Sequence, residues 1–191
     1  MRPVIYSMSV SMDGFIAGPD GDIGWAAPDP ALMAFHNEQT RQVAVHVCGR
    51  GLYQDMLPWE TGWAEQAGPG GLEFARVWRA IPKVVFSATL DHVEGNARLA
   101  AGSLAEEIAG AREGAGAVPG GVVSVGGAGL AAQLIRQDLI DEYRMFLNPV
   151  VLGGGTPFFP PDAPRLDLEL AELRQFGGRA YLNYRRARSS R

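Results

Sequence analysis

From its first residues the chain alternates. Val4, Tyr6, Met8, Val10 and Met12 share one strand face, and Ile5, Ser7, Ser9 and Ser11 share the other. Asp13-Gly14 is a hairpin-turn dipeptide, so residues 15–17 are expected to return briefly before a loop at 18–22. The serine face is small and mildly polar, which suits a strand under a ligand and equally a crowded sheet face. A helix is expected from Asp29 to about Thr40, with Asp29 as N-cap and Pro30 at the first helical position. Three short apolar runs, 43–48, 84–87 and 122–125, have the unbroken character of parallel strands buried on both faces. Helical segments are expected at about 72–79, 104–112 and 130–137. The second opens on a capping box, Ser103 to Glu106, and carries Leu104, Ile108 and Ala111 at helical spacing.

From Asp141 the pattern changes. Tyr143, Met145 and Leu147 alternate with Arg144, Phe146 and Asn148, and the strand is expected to run on through 149–152. Leu166, Leu168 and Leu170 alternate with acidic residues in a segment lasting to about Phe176, and Gly177-Gly178 turns the chain into a last strand at 180–186. Helix–strand units followed by a strand-rich end predict an α/β fold. Its central sheet is mixed but mostly parallel, flanked by helices, with an antiparallel C-terminal hairpin.

Composition narrows the class. A chain of 191 residues, 47% hydrophobic and 20% charged, is expected to form one domain over 1–187 with a basic tail at 188–191. The longest apolar runs fall far short of the roughly 20 residues of a membrane-spanning helix. The opening MRPVIYSMSV has no signal-peptide pattern, so a cytoplasmic location is expected. The single cysteine, Cys48, excludes an internal disulfide and a cysteine-built metal cluster. Seventeen basic against 21 acidic residues leave a net charge of −4, which argues against nucleic acid as the partner. Lys83 is the only lysine. Arg185, Arg186, Arg188 and Arg191 form a small cluster that suits a solvated terminus or an anion contact.

Candidate chemistry gathers where the strands end. The run 43–48 leads into Gly49-Arg50-Gly51-Leu52, and the run 84–86 into Ser87-Ala88-Thr89. The run 122–125 leads into Gly126-Gly127-Ala128-Gly129-Leu130, and the run 145–152 into Gly153-Gly154-Gly155-Thr156. Glycines let backbone N–H groups approach a phosphate, a helix N-terminus favours its charge, and arginine supplies a permanent planar cation. Any one of these turns could be an ordinary strand exit; four together suit an extended phosphate-bearing ligand. Residues 127–132 formally match the G-x-G-x-x-A dinucleotide fingerprint, but no acidic residue closes a following strand at the required distance, so that fold is rejected. His36, His46 and His92 lack metal-ligand spacing, no G-x-S-x-G elbow is present, and Cys48 reads as a buried structural thiol. With no evident nucleophile or metal, chemistry carried by a bound cofactor is the economical expectation.

Four segments, Ser11-Met-Asp-Gly-Phe-Ile-Ala17, Gly49-Arg-Gly-Leu-Tyr53, Val125-Gly-Gly-Ala-Gly129 and Asn148-Pro-Val-Val-Leu-Gly-Gly-Gly-Thr-Pro-Phe158, give the chain a resemblance to the dihydrofolate-reductase-like superfamily. The similarity is strongest to the branch holding the reductase domain of bacterial riboflavin biosynthesis and stand-alone relatives, and it runs over roughly 2–187. The resemblance implies a sheet of about eight strands that binds NADPH across strand ends, often in a homodimer, and acts on a small-molecule substrate. It places Ile16 and Ala17, with the loop to Trp25, beside the nicotinamide, and Leu152, Gly153, Gly154, Gly155 and Thr156 along the same end. It places Gly49, Arg50 and Leu52 at the phosphates, with Arg50 on the 2′-phosphate, and Ser87, Ala88 and Thr89 near the adenosine half. Gly126, Gly127, Ala128, Gly129 and Leu130 would pack on the pyrophosphate and nicotinamide ribose, with a cis peptide at Gly126-Gly127.

In the folate enzymes a carboxylate opens the helix after the mobile loop and serves the proton transfer. Asp29 occupies about that region and equally suits helix capping; the spacing differs, so a true folate reductase is not expected. His36 and Glu38 of the same helix face either pocket or solvent. Trp25, Phe35, Trp59 and Phe158 are candidates for walling in the substrate or for the core. The expected activity is NADPH-dependent hydride transfer to a C=N or C=O carbon of a small pterin- or pyrimidine-like molecule, the proton coming from Asp29 or solvent. Two rivals stand beside it: a catalytically silent nucleotide-binding module of the same fold, and a scaffold that binds no nucleotide.

Overall fold

The computed structural model describes residues 1–62, 68–114, 118 and 120–187. In chain order the elements are β1 (Val4–Ser11), β2 (Phe15–Ala17), α1 (Pro30–Thr40), β3 (Val43–Gly49), α2 (Arg50–Met56), α3 (Gly68–Ala80), β4 (Lys83–Phe86) and β5 (Ala97–Leu99). They continue with α4 (Leu104–Glu113), β6 (Val122–Gly126), α5 (Ala128–Arg136), β7 (Glu142–Asn148), β8 (Thr156–Pro157), β9 (Leu168–Phe176) and β10 (Arg179–Arg186). Eight strands form one sheet in the order β5-β4-β3-β6-β1-β7-β10-β9, in which only β10 runs against its neighbours. The fold is thus α/β around a mostly parallel sheet with an antiparallel C-terminal hairpin, as the alternation and the apolar runs lead one to expect.

The alternation of β1 decides which face meets which layer. Val4, Tyr6 and Val10 join Val123 and Val125 of β6 and Val47 of β3, and on them pack Leu104, Ile108 and Ala111 of α4 and Leu130, Leu134 and Ile135 of α5. The opposite face takes α1, through Leu32 and Phe35 against Phe146 and Tyr181, and the α2–α3 region, through Tyr53 against Cys48 and Val85. Each large side chain removed from water in this way contributes roughly 1.5–3 kcal/mol before the entropy of ordering is charged against it.

Several local expectations change. Phe15–Ala17 does not fold back on β1; it forms a separate two-stranded ladder with Thr156–Pro157, a partner 140 residues away that no local turn rule reveals. The strand expected through residue 152 stops at Asn148, because Pro149 has no N–H for the ladder and the next amides turn elsewhere. No cis peptide occurs among the described residues; the Gly126-Gly127 corner is turned by a trans chain with Gly127 at φ 92°. Helix α2 and the short strand β5 add to the elements that periodicity marked, since seven and three residues are too few to set up a period. Helices α3 and α5 begin at Gly68 and Ala128, earlier than their apolar spacing suggests, and β9 begins at Leu168 rather than Leu166. Residues 188–191, the expected basic tail, lie outside the described residues.

Candidate functional site

Beyond the carboxyl ends of its parallel strands an open α/β sheet offers chain turns to a ligand. Here the ends of β4, β3 and β6 lie side by side, with Gly49 level with Phe86 and Cys48 level with Gly126. Three of the glycine- or hydroxyl-bearing turns therefore meet. Arg50, exposed at the start of α2, donates from Nη1 to Thr89 Oγ1 at 3.1 Å. Ser87 Oγ accepts the N–H groups of Thr89 at 3.1 Å and Leu90 at 3.0 Å, which holds the turn carrying exposed Ala88 in place.

The third turn leads into α5, whose N-cap Gly127 provides no side-chain cap, so the N–H groups of Ala128, Gly129 and Leu130 form an uncapped helix start with its partial positive charge. A Cβ on Gly126 would collide with Leu52 and come within 3.1 Å of His46 Nε2. One on Gly127 would lie 3.7 Å from Leu52 Cβ and 3.9 Å from the Gly49 nitrogen. The starts of α2 and α5 lie close together, and a side chain at 126 would require Leu52 to move.

A second group forms where β2 meets β8. Ala17 pairs with Thr156, and a Cβ on Gly155, whose φ is +124°, would run into the Ala17 carbonyl oxygen. Ile16 is buried in the same cluster as Leu130 and Phe158, which brings this ladder to the α5 side of the sheet. Gly154 lies beside Pro19, where a Cβ would be 3.8 Å from its Cγ. Asp13 is the clamp of the region. Its carboxylate accepts the Ser11 hydroxyl at 2.7 Å, the Gly153 N–H at 2.7 Å and the Leu152 N–H at 3.1 Å. The Ser11 hydroxyl, followed by these backbone N–H groups, holds the Asp13 carboxyl below its ordinary range. The amides of Leu152 and Gly153, expected to face a ligand, are thus engaged within the protein.

Asp29 caps α1, accepting the Leu32 N–H on Oδ1 at 2.9 Å, and receives Arg179 Nη1 on Oδ2 at 3.2 Å. The same guanidinium donates to Asn148 Oδ1 at 2.7 Å and to the Ala27 carbonyl at 3.0 Å. Both carboxylate oxygens of Asp29 therefore already accept hydrogen bonds, in a strap from α1 to β7 and β10.

Of the four aromatics considered as substrate walls, Phe35 and Phe158 belong to the core, the latter stacked on Tyr6 at 4.3 Å. Trp25 donates its indole N–H to the Asp22 carbonyl at 3.0 Å. Trp59 packs edge-on against Phe74 and lines a cavity of about 1050 Å³ between α1 and α3, together with Pro30, Met33, Asn37 and Glu38. That cavity lies along the helix pair, whereas the glycine turns lie at the strand ends. His36 turns toward the sheet, its ring 4.0 Å from that of Phe146, and burial lowers its pKa to about 4. It shares a cavity of about 80 Å³ with Ser7, Ser124 and Arg144, so the serine face of β1 lies beneath α1.

Three residues in the region had no sequence signal for their part in it. Asp13 read as a turn residue within the segment 11–17, and Arg179 fell between the Gly177-Gly178 turn and a strand expected from residue 180, although it opens β10. His46 is buried behind Gly126 with no hydrogen-bond partner on Nε2, and burial, then the nearby Lys83 charge, lowers its pKa to about 3. Lys83 itself is buried, held by the carbonyls of Trp78 at 2.7 Å and Ile81 at 3.1 Å and by Glu60 at 2.9 Å. Burial raises the Cys48 thiol to about 12. Arg185 pairs with Glu142 at 2.9 Å and Arg186 with Asp138, while Arg188 and Arg191 are outside the described residues. Among the described residues no group of three or more His, Cys, Asp and Glu side chains could hold a metal ion, and no helix is long and apolar enough to cross a membrane.

Known proteins resemble this chain in sequence or in fold. YyaP of Bacillus subtilis strain 168, an uncharacterized protein, is 29% identical over 178 residues, covering 92% of this chain and 89% of its own. Among solved structures, a protein of Shewanella sp. PV-4 assigned by name to riboflavin biosynthesis superposes with a TM-score of 0.74 at 23% identity, over 98% of this chain and 100% of that one. The dihydrofolate reductase of Enterococcus faecalis, solved with NADP(H), gives 0.59 at 18% identity over 97% of each chain. At such identities the structural likeness establishes a dihydrofolate-reductase-like fold. The family model described as the RibD C-terminal domain matches residues 2–109 and 119–182, and the chain belongs to that family.

Proposed function

We propose that the protein is an NADPH-dependent reductase that delivers hydride to a C=N or C=O carbon of a small pterin- or pyrimidine-like molecule. The observation that carries this reading is the meeting of Arg50, Thr89, Gly49 and the uncapped start of α5 at the carboxyl ends of neighbouring strands. A phosphorylated dinucleotide fits such a cradle. Arg50 would take the 2′-phosphate by charge-assisted hydrogen bonds, and the N–H groups at 128–130 would face the pyrophosphate beside a turn whose two glycines carry no side chains of their own. Ile16, Ala17 and residues 154–156 would wall the nicotinamide end. When bound, NADPH supplies the hydride. The chain's own contribution is orientation and exclusion of water. Because both Asp29 oxygens already accept, the proton is assigned to solvent, and Asp29 holds α1 and Arg179 in place. That engagement is also the observation favouring a second reading, a nucleotide-binding module without turnover.

Titration of the protein with NADPH, followed by fluorescence, and then a screen of carbonyl and imine compounds for NADPH oxidation, tests both readings. Binding with oxidation supports the reductase; tight binding with no oxidation by any candidate supports the silent module; no binding overturns both. Arg50→Ala should cut the preference for NADPH over NADH by roughly 10- to 150-fold, the equivalent of about 1.5–3 kcal/mol for a hydrogen bond to a charged group. An unchanged preference would remove Arg50 from the phosphate site.

A further inference from the structure

The layer beneath α1 is filled differently at its two ends. Toward the start of the helix Leu32 and Phe35 rest on Phe146 and Tyr181. Toward its end the sheet presents two serines instead. Ser7 of β1 lies level with Arg144 of β7, and Ser124 of β6 lies level with Ile5 of β1, so these side chains share the α1 side of the sheet. Serine is too short to fill the space under His36 and Gln39, and a cavity of about 80 Å³ remains.

The groups around this cavity lack acceptors. Arg144 donates from Nη1 to Gln39 Oε1 at 2.5 Å and from Nη2 to Glu142 Oε2 at 3.0 Å, and its Nε is buried with no partner. Among the described residues the hydroxyls of Ser7 and Ser124, the His36 ring nitrogens and the Gln39 amide nitrogen also have no hydrogen-bond partner. The Gln39 nitrogen and Arg144 Nε can only donate, and each hydroxyl can. No carboxylate lines the cavity among the described residues. Glu142, just beyond it, is shared with Arg185 at 2.9 Å, so two guanidinium groups face one carboxylate and one positive charge is in excess. The carbonyls that end α1 are already engaged. His36 O accepts the Thr40 hydroxyl at 2.7 Å, and Gln39 O accepts the Gln42 N–H at 3.1 Å.

We infer that this cavity is a binding site for one small monovalent anion, of the size of chloride or nitrate. At roughly 30 Å³ per molecule the space would otherwise admit about two waters. Each water brings donors along with its acceptors and leaves the excess charge unanswered. An anion accepts from several donors at once, and such charge-assisted hydrogen bonds are roughly twice as strong as neutral ones. Val43 and Val122, the first residues of β3 and β6, line the cavity, whereas the glycine turns follow the last residues of those strands. The inference therefore stands independently of the cofactor reading.

Crystals of the full-length protein soaked in sodium bromide, measured at the bromine absorption edge, should show one anomalous peak within hydrogen-bonding reach of Arg144 and the two serines. In solution, about 100 mM sodium bromide should raise the unfolding temperature by about 3–6 °C over sodium gluconate at the same ionic strength, the shift for a dissociation constant of about 10 mM. Ser124→Ala keeps the room and removes one donor, so it should weaken bromide about 10-fold and reduce the shift to about 1 °C. Ser7→Val with Ser124→Val fills the cavity and should abolish both peak and shift; circular dichroism checks that it is folded. Density without an anomalous signal, equal melting in the two salts, or a shift that survives Ser124→Ala overturns the inference. A peak without the bromide-specific shift marks an adventitious ion only and overturns it as well.

Discussion

The two halves of the sheet are built by different rules. Strands β4, β3, β6 and the start of β1 have helices on both faces, and their central residues, such as Val47, Val85, Val123 and Val125, are fully buried. Strands β7, β10 and β9 alternate apolar with charged residues, and helix α1 covers one of their faces. A strand buried on both sides must be apolar at every position, which gives a short unbroken run; a strand with one wet or charged face must alternate. The covered half ends in glycine turns beside helix starts and carries the candidate cradle. The other half ties down the start of α1 through Arg179, which also meets Asn148. One half carries the candidate site, and the other leaves apolar side chains such as Leu170 and Leu173 exposed.

The sharpest way to break this comparison is to remove the same side chain from each half. Leu134→Ala, on α5 over the covered half, should cost about 2–5 kcal/mol in denaturant unfolding, because the residue is fully buried and its cavity cannot fully collapse. Leu170→Ala on β9 should change the stability of the single chain by no more than about 0.5 kcal/mol. Equal costs would mean that the open face is covered in the monomer.

Acid should act next, and on both halves. His36 packs on Phe146 of β7, and His46 lies on β3 in the covered half; both have a folded pKa, about 4 and about 3, below the ordinary 6.5. The unfolded chain therefore takes up protons near pH 6.5 while the folded chain does not. Their stabilisation is complete above that pH and is lost as pH falls toward the folded values, by up to roughly 1.4 kcal/mol per pH unit for each histidine. Thermal unfolding followed between pH 7 and 5 should show this decline, and His46→Gln should flatten it. A melting temperature constant over that window would contradict the burial of both rings.

A smaller effect belongs to the strap that ties α1 to β7 and β10. Asp29→Ala removes the cap of α1 and the partner of Arg179, and should cost about 1 kcal/mol. If any substrate of the reductase reading is found, its turnover by this variant should stay within a few-fold of the unmodified enzyme once stability is matched. A loss of several orders of magnitude would return Asp29 to the proton transfer.

Much of this architecture can be read from residue order, because local patterns encode local rules. The alternation of residues 4–12 marked β1, Asp29-Pro30 marked the start of α1, Ser103 and Glu106 marked α4, and Gly177-Gly178 marked the last turn. The meeting of Arg50 with Thr89 was harder to see, since it depends on β3 and β4 lying in register, yet glycine, hydroxyl and arginine groups after successive strands already pointed to it. What remained hidden were pairings between distant residues with no pattern of their own. Nothing in an Asp-Gly turn tells that its carboxylate will hold amides 139 and 140 positions away, or that Phe15–Ala17 will pair with Thr156–Pro157 rather than with β1.

The chain by itself determined the kinds of element, the sheet faces that had to be buried and the glycine-bearing turns at the strand ends, because backbone preference and hydrophobic period act over a few residues. Only the tertiary structure decided which amides Asp13 takes, that Asp29 is engaged by Arg179, and that the helices stop short of the last three strands. Those outcomes depend on where distant segments come to rest when the whole core packs at once.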